Sequence, residues 1–128
     1  MNIRVGTDVV QIERIKRSIE KESFVKKVFT PVEIEYATKK ADAAASFAAR
    51  FAAKEAFFKA LGTGLYTQGM GPQDVWIENS DNGRPFLKFS AAAESLLQQQ
   101  GLCCCTDVSL AHDGPVALAT VVLLFKTL

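Results

Sequence analysis

The sequence predicts an α+β fold in which helices pack on an antiparallel β-sheet. Strand-like segments occur near both ends of the chain and in its middle, and stretches with helical periodicity separate them. Turn-forming residues, including an Asn-Gly pair, join neighbouring strand segments into hairpins. A chain of 128 residues is long enough to bury one core, and we expect a single domain over residues 1–128.

The first third of the chain predicts one strand and a series of helices. Residues 3–5 read as a strand, and the helix after it has isoleucines at helical spacing: Ile12, Ile15 and Ile19. Ser23 is expected to cap a second helical stretch that ends at Phe29. Thr30 and Glu33 then form a capping box around a proline, which predicts a further helix start.

The longest predicted helix is rich in alanine. It begins after Asp42, a good N-cap residue, and ends at Leu61 with Gly62 as the C′ residue. Glycines and a proline then make residues 62–72 a loop. This loop either closes over a ligand or only connects the helix to the next strand.

The second half predicts two hairpins separated by a helix. Residues 75–79 and 84–89 form strands joined by the tight Asn-Gly turn. Ser90 caps a helix that ends at Gly101. The last hairpin comprises strand 103–111, turn 112–115 and strand 116–125.

Composition and cysteine spacing argue against several functions. The net charge of +1 and 23% charged residues do not provide the basic surface of a nucleic-acid-binding protein. No secretory signal precedes the first strand, and the longest apolar run is too short for a bilayer, so we expect a cytoplasmic protein that binds no membrane. Cys103, Cys104 and Cys105 are consecutive, a spacing that disfavours both a mutual disulfide and a zinc site. We interpret them as small strand residues in a reducing compartment.

A candidate binding surface lies on the long helix. Glu55 and Lys59 are one turn apart, and Ala48 and Ala52 on the same side leave room for a bulky ligand. The same spacing also describes an ordinary surface ion pair, which contributes about 0.2 to 0.5 kcal/mol. Asp8 favours the first interpretation, because it interrupts an apolar strand and a buried carboxylate needs a partner.

The first helix has a basic side. Arg14, Arg17 and Lys21 cluster nearly opposite the isoleucines and form what we call the basic strip. The strip is either a solvated helix face or a docking surface for an acidic partner.

Four segments of the chain resemble holo-acyl-carrier-protein synthase. They are the Gly-Thr-Asp of residues 6–8, the FxxKExxxKAxGTG block within residues 50–64, the Asn-Gly-Arg-Pro of residues 82–85, and residues 108–112. The resemblance covers essentially the whole chain. It implies a 4′-phosphopantetheinyl transferase fold and transfer of the 4′-phosphopantetheine arm of coenzyme A to a serine of apo acyl carrier protein. Adenosine 3′,5′-bisphosphate is the other product, and the reaction supports fatty acid biosynthesis.

The resemblance also implies roles for single residues. Asp8 and Glu55 would bind Mg²⁺, a hard cation that prefers oxygen ligands. Lys59 would contact a phosphate oxygen and stabilise the departing bisphosphate, which makes these three the expected catalytic residues. Arg50 would contact the nucleotide end of coenzyme A. Further expected coenzyme A contacts are Lys54, Gly83, Arg84, Pro85, Ser109 and His112.

His112, the only histidine, is expected in a turn and in a binding role. A metal-bound water, or a water held by Glu55, is the better candidate for the general base. Ala111 departs from the family pattern, in which a hydroxyl residue often precedes this histidine, and residues 65–70 contain no basic side chain. The three cysteines are a further departure.

Assembly and partners follow from the same resemblance. Arg50 lies about 180° around the helix from Lys59, so one helix face cannot present both to a compact ligand. Similar enzymes are homotrimers that hold each coenzyme A between protomers, and their acidic carrier protein would suit the basic strip. Two other functions stay open, a non-enzymatic interaction module that binds an acidic partner and a different Mg²⁺-dependent transferase.

Overall fold

The computed structural model describes residues 1–62 and 69–126, without the side chains of Cys103 and Cys104. It confirms the α+β class. A single 3₁₀ turn at Pro72–Asp74 precedes β2. In chain order the strands and helices are β1 (Asn2–Gln11), α1 (Ile12–Ser18), α2 (Glu22–Val28), α3 (Pro31–Thr38), α4 (Ala43–Leu61), β2 (Val75–Asn79), β3 (Pro85–Phe89), α5 (Ala91–Gln99), β4 (Leu102–Asp113) and β5 (Val116–Phe125).

The described strands form two antiparallel sheets. One has the order β1-β5-β4, and the other consists of β2 and β3. Helix α4 packs across β1 and β5. Along β5 the residues alternate between buried and partly exposed positions, so only one face of the larger sheet is covered by the core.

Helix α4 is the centre of the core. Most of its side chains are buried, as expected for a helix that is apolar on nearly every side. Ala48 and Ala52 are both fully buried, so the prediction that they leave space for a ligand is wrong. Instead, they belong to the hydrophobic core of the chain, where small side chains allow close packing between α4 and its neighbours.

Several local predictions are confirmed by the backbone. The Thr30–Glu33 capping box opens α3, and the Asp42 side chain accepts from Ala45 N at the start of α4. Gly62 ends α4 with a φ of 80°. Ser90 caps α5. Each of these helix ends depends only on residues close in sequence, which explains why the sequence predicted them.

Other boundaries differ from the prediction. Strand β1 continues to Gln11, because β5 pairs with it along its whole length. Lys21, and not Ser23, is the N-cap of α2, so Lys21 lies beyond the end of α1. Strand β3 starts at Pro85, one residue later than expected. Helix α5 ends at Gln99, before Gly101.

The last hairpin is longer than predicted. His112 is paired with Ala117 within the β4–β5 ladder, so it does not lie in the turn. Cys105 lies in β4, in agreement with the interpretation of the cysteines as strand residues, and it is exposed. It lies where the pairing register between β4 and β5 shifts, a feature that the local sequence does not reveal.

Two predictions concern segments that the structure covers only in part. The predicted loop of residues 62–72 contains residues 63–68, which lie outside the described ranges. The stretch without basic side chains, residues 65–70, contains residues 65–68 of that undescribed segment. Within those ranges, no helix is long and apolar enough to cross a bilayer.

Candidate active site

Strand β1 and helix α4 bring three predicted catalytic residues together. Asp8 belongs to the side of β1 that is buried, with 8% of its surface exposed. Lys59, near the end of α4, donates to Asp8 Oδ1 at 2.9 Å and to the Thr7 carbonyl at 3.1 Å. The Lys59 side chain is half-exposed, so its ammonium group lies at the rim of the site.

Glu55 is the third member of this group. Burial raises the pKa of Glu55 to about 7, and the neighbouring Asp8 adds to the rise as a hydrogen-bond partner and as a negative charge. The positive charges of Arg14 and Lys59 act in the opposite direction. The two acidic groups are therefore close enough that ionisation of one disfavours ionisation of the other.

The carboxyl pair fits a divalent cation. Asp8 Oδ2 is buried and has no hydrogen-bond partner among the residues that the structure describes. A buried, unsatisfied carboxylate oxygen beside a second carboxyl group is a hard-oxygen donor set, which suits Mg²⁺. No group of three or more His, Cys, Asp or Glu side chains occurs in residues 1–62 and 69–126, apart from the undescribed thiols. Mg²⁺ is commonly held by only one or two carboxylates together with substrate phosphates, so two are sufficient.

Arg14 lies closer to the carboxyl pair than the sequence indicated. Its guanidinium carbon is 5.7 Å from the centre of the Phe51 ring, and its charge lowers the pKa of Glu55. The basic strip therefore begins beside the Asp8–Glu55 pair. Arg17 and Lys21 are exposed, as predicted.

Arg50 lines a different cleft. This cleft has a volume of about 330 Å³, and its lining includes Tyr36, Lys40 and His112. The Arg50 guanidinium stacks 4.0 Å above the centre of the Tyr36 ring and donates to Asn79 Oδ1 at 2.6 Å. Burial lowers the pKa of Arg50, with Tyr36 opposing the shift. The cleft thus combines two cations and an imidazole with one carboxylate, Asp42, and this excess of positive side chains suits an anionic ligand.

The remaining predicted coenzyme A contacts line neighbouring surfaces. Arg84, Pro85 and Ser109 border a second cleft of about 340 Å³. Arg84 is held there by the Asp107 carboxylate at 2.8 Å and 3.1 Å. Gly83 lies in the β2–β3 turn and borders a groove with Tyr36 and Lys40, which also line the Arg50 cleft.

Lys54 does not fit its predicted role as a coenzyme A contact. Its side chain is almost completely buried, and its ammonium group contacts Glu33 Oε1, the Pro72 carbonyl and the Val75 carbonyl, each at 2.7 Å. Burial lowers the pKa of Lys54, and the Glu33 carboxylate opposes the shift. Glu33 in turn accepts from the backbone N–H groups of Thr30 and Ile77. Lys54 therefore connects α4 to α3 and β2, and it faces no ligand cleft.

The predicted site residues thus form separate groups in one chain. The lining of the Arg50 cleft includes none of Asp8, Glu55 and Lys59. Tyr36, Asn79 and Asp107 hold predicted coenzyme A contacts, yet the sequence analysis missed all three. The partners of these three residues are remote in sequence, so local patterns did not indicate the contacts. Asn79 alone of the three had a local signal, its position directly before a predicted hairpin turn.

Comparisons with known proteins agree on one family. The family model of the 4'-phosphopantetheinyl transferase superfamily matches residues 4–120. A protein of Geobacter sp. (strain M21) named holo-[acyl-carrier-protein] synthase is 43% identical over 120 residues, which cover 92% of this chain and 94% of that protein. The protein of the same name from Geobacter sulfurreducens is 44% identical over 120 residues, with the same coverage.

Solved structures give the same result. The crystal structure of holo-[acyl-carrier-protein] synthase from Neisseria meningitidis superposes with a TM-score of 0.86 at 30% identity and covers 94% of this chain and 97% of its own. The Helicobacter pylori synthase, crystallised in complex with coenzyme A, has a TM-score of 0.81 at 29% identity and covers 94% of this chain and 99% of its own. The chain therefore belongs to the holo-[acyl-carrier-protein] synthase family of the 4′-phosphopantetheinyl transferase superfamily.

Proposed function

We propose that this enzyme transfers the 4′-phosphopantetheine group of coenzyme A to a serine of apo acyl carrier protein in a Mg²⁺-dependent reaction. The observation that carries the proposal is the Asp8–Glu55 pair with Lys59 at its rim. Membership of the family supports the reaction type, and a relative crystallised with coenzyme A supports the donor.

The reaction replaces the phosphoanhydride bond of the coenzyme A diphosphate with a phosphate ester bond to serine. The serine oxygen attacks the phosphorus that bears the pantetheine arm, the bond from this phosphorus to the bridging oxygen breaks, and adenosine 3′,5′-bisphosphate leaves. A Mg²⁺ ion held by Asp8 and Glu55 would neutralise charge on the diphosphate. The Lys59 ammonium group lies beside Asp8, where it can bind a phosphate oxygen and stabilise negative charge on the departing bisphosphate.

The serine proton needs an acceptor close to the same pair. A water held by Glu55 is our candidate, because an ionised carboxylate beside the reacting phosphate can accept the serine proton through a bound water. His112 borders the Arg50 cleft, away from the carboxyl pair, which favours a role in binding coenzyme A.

The separation of the two groups supports an active site between protomers. Arg50, His112, Gly83, Arg84, Pro85 and Ser109 would bind coenzyme A from one protomer while the carboxyl pair of the next binds the metal. The outer face of the larger sheet exposes large apolar side chains: Ile3, Val5, Val9 and Leu118 are 66%, 59%, 59% and 39% exposed. Several exposed apolar side chains on one sheet face are typical of subunit interfaces, which supports the proposed homotrimer.

The basic strip is the proposed docking surface for the carrier protein. Arg14, Arg17 and Lys21 are exposed, and Arg14 lies near the carboxyl pair. An acidic partner bound there would bring its serine towards the metal-binding residues.

The test is to mix the protein with coenzyme A, Mg²⁺ and an apo carrier protein and to weigh the carrier protein by mass spectrometry. We expect a gain of one phosphopantetheine group, which chelation of divalent cations abolishes. Binding of the carrier protein without a mass gain would instead indicate the interaction module, and transfer from another phosphorylated donor would indicate a different transferase.

Two conservative variants test the metal assignment. Asp8→Asn and Glu55→Gln should each reduce turnover by at least about 100-fold, because both replace an anionic metal ligand with a neutral group of the same size. Thermal unfolding should show that both variants fold. Substantial turnover by either one would contradict its assignment as a metal ligand.

A further inference from the structure

Asn79 joins two parts of the proposed coenzyme A site. It is the last residue of β2 and pairs with Pro85 of β3. Its side-chain oxygen accepts from Arg50 Nη2 at 2.6 Å, and its side-chain nitrogen donates to the Gly83 carbonyl at 3.0 Å. One amide group therefore connects the arginine on α4 with the turn that carries Gly83 and Arg84.

The Asn79 bond links the Arg50 side chain to a different element of the fold. The Arg50 guanidinium also donates to Ser46 Oγ, one turn earlier on the same helix, at 3.2 Å. The Tyr36 ring supports one face of the guanidinium group. Arg50 Nε is buried and has no hydrogen-bond partner among the described residues. Asn79 is thus the hydrogen-bonding contact that ties this long side chain to the β2–β3 hairpin.

We propose that Asn79 is a positioning residue for coenzyme A, an inference that rests on the proposed function. Its amide holds the Arg50 guanidinium and the Gly83 carbonyl at a constant separation. The helix α4 side and the hairpin side of the nucleotide-binding surface are thereby preorganised before the ligand arrives. The Asn79 side chain acts through Arg50, so its loss weakens coenzyme A binding and leaves the transfer step itself unchanged.

The experiment compares Asn79→Ala, Arg50→Met and the double variant. In Asn79→Ala we expect the KM for coenzyme A to rise about tenfold, as for the loss of a hydrogen bond to a charged group, with kcat within about twofold of the parent. The effect of the double variant should be clearly smaller than the sum of the two single effects, because the Arg50–Asn79 contact is already lost in Arg50→Met. Calorimetric binding of coenzyme A should show the same pattern without turnover.

A neighbouring substitution provides the control. Glu78→Gln changes the adjacent β2 side chain, whose carboxylate accepts from Trp76 Nε1, and the amide oxygen can retain this bond. We expect its KM for coenzyme A to stay within about twofold of the parent, since no Arg50 contact is lost. Should Asn79→Ala fail to fold, Asn79→Ser enters the same cycle.

Three results would overturn the inference. They are an unchanged KM for coenzyme A in Asn79→Ala, full additivity of the two single variants, or a loss of kcat and thermal stability with no change in KM. Each of these requires an active parent enzyme. If the parent protein transfers no phosphopantetheine, the proposed function fails instead, so the two failures are distinguishable.

Discussion

At the level of single residues, Asp8 and Glu55 form an acidic pair that resists full ionisation. The pKa of Glu55 is raised from 4.5 to about 7, mainly by burial and further by Asp8. The folded protein therefore binds a proton at Glu55 over a pH range in which the unfolded chain has released it. A divalent cation can replace this proton, and cation binding should release protons near neutral pH.

The raised pKa predicts a specific pH dependence of stability. Without Mg²⁺, the contribution of Glu55 to the free energy of unfolding should be greatest below pH 4.5 and should decrease as the pH rises from 4.5 through about 7, because in this range the folded state binds a proton that the unfolded chain has released. Urea unfolding of the parent and of Glu55→Gln between pH 5 and pH 8 measures this contribution as the difference between the two curves. A difference that does not vary with pH would contradict the pKa shift.

Between elements, the contact of β1 with α4 determines where Asp8 meets Glu55. Gly6 lies two residues before Asp8 on the same side of β1. A Cβ atom on Gly6 would be 1.9 Å from the Ala56 carbonyl oxygen and 2.7 Å from Ala60 N. Since both atoms belong to the backbone of α4, a side chain at this position requires the strand and the helix to separate.

Gly6→Ala should therefore affect stability and cation binding together. We expect a loss of about 3 kcal/mol or more in the free energy of unfolding and a weaker affinity for Mn²⁺, used as a spectroscopic probe for the Mg²⁺ site. Gly71→Ala is the matched control. The nearest atom to its added Cβ is 3.9 Å away, so both quantities should remain close to those of the parent. A stable Gly6→Ala protein with unchanged Mn²⁺ affinity would show that this contact does not position Asp8.

Charge reversal on helix α1 tests the basic strip as the docking surface for the carrier protein. Arg17→Glu should raise the KM for the carrier protein by about tenfold with little change in the KM for coenzyme A, because it places a negative charge within the basic strip. Added salt should also raise the carrier-protein KM of the parent, since exposed charges are screened over about 8 Å at physiological ionic strength. Lys16→Glu, on another side of the same helix, is the control and should have a smaller effect. Equal effects of both variants would argue against a defined docking surface.

For the whole molecule, the central question is how the proposed metal-binding pair and the Arg50 cleft would act on one coenzyme A molecule. They belong to different surfaces of the chain, and an apolar sheet face remains exposed. The proposed homotrimer with sites between protomers would solve both problems, because one protomer would contribute the carboxyl pair and its neighbour would contribute Arg50.

Mixed assemblies test this arrangement directly. Asp8→Asn and Arg50→Met protomers should each be poorly active alone at low coenzyme A concentration. When the two are co-expressed, roughly a quarter of the sites should combine an intact Asp8 with an intact Arg50 from the neighbour. The co-purified assembly should therefore recover about that fraction of the parent turnover.

The control for this experiment combines Asp8→Asn with Glu55→Gln. Both residues act from the same protomer, so no mixture of these two variants restores a complete pair, and turnover should stay low. Recovery in the control, or none in the Asp8→Asn and Arg50→Met mixture, would contradict a site shared between protomers. Native mass spectrometry of the same samples measures the number of subunits.

The sequence alone determined the features that depend on short stretches of chain. The Thr30–Glu33 capping box, the Asp42 and Gly62 ends of α4 and the Ser90 cap were all readable, because each is an interaction between residues a few positions apart. Asp8, Glu55 and Lys59 were predicted as catalytic residues from a resemblance of motifs, and the structure brings the three together.

Tertiary structure alone decided how distant segments use their side chains. It buried Lys54 against Glu33, enclosed Ala48 and Ala52 in the core, and extended β1 along β5. It also placed Asn79 between Arg50 and Gly83. Strand pairing and burial depend on partners far away along the chain, so no local pattern encodes whether a lysine, an alanine or an asparagine will face a ligand or another part of the protein.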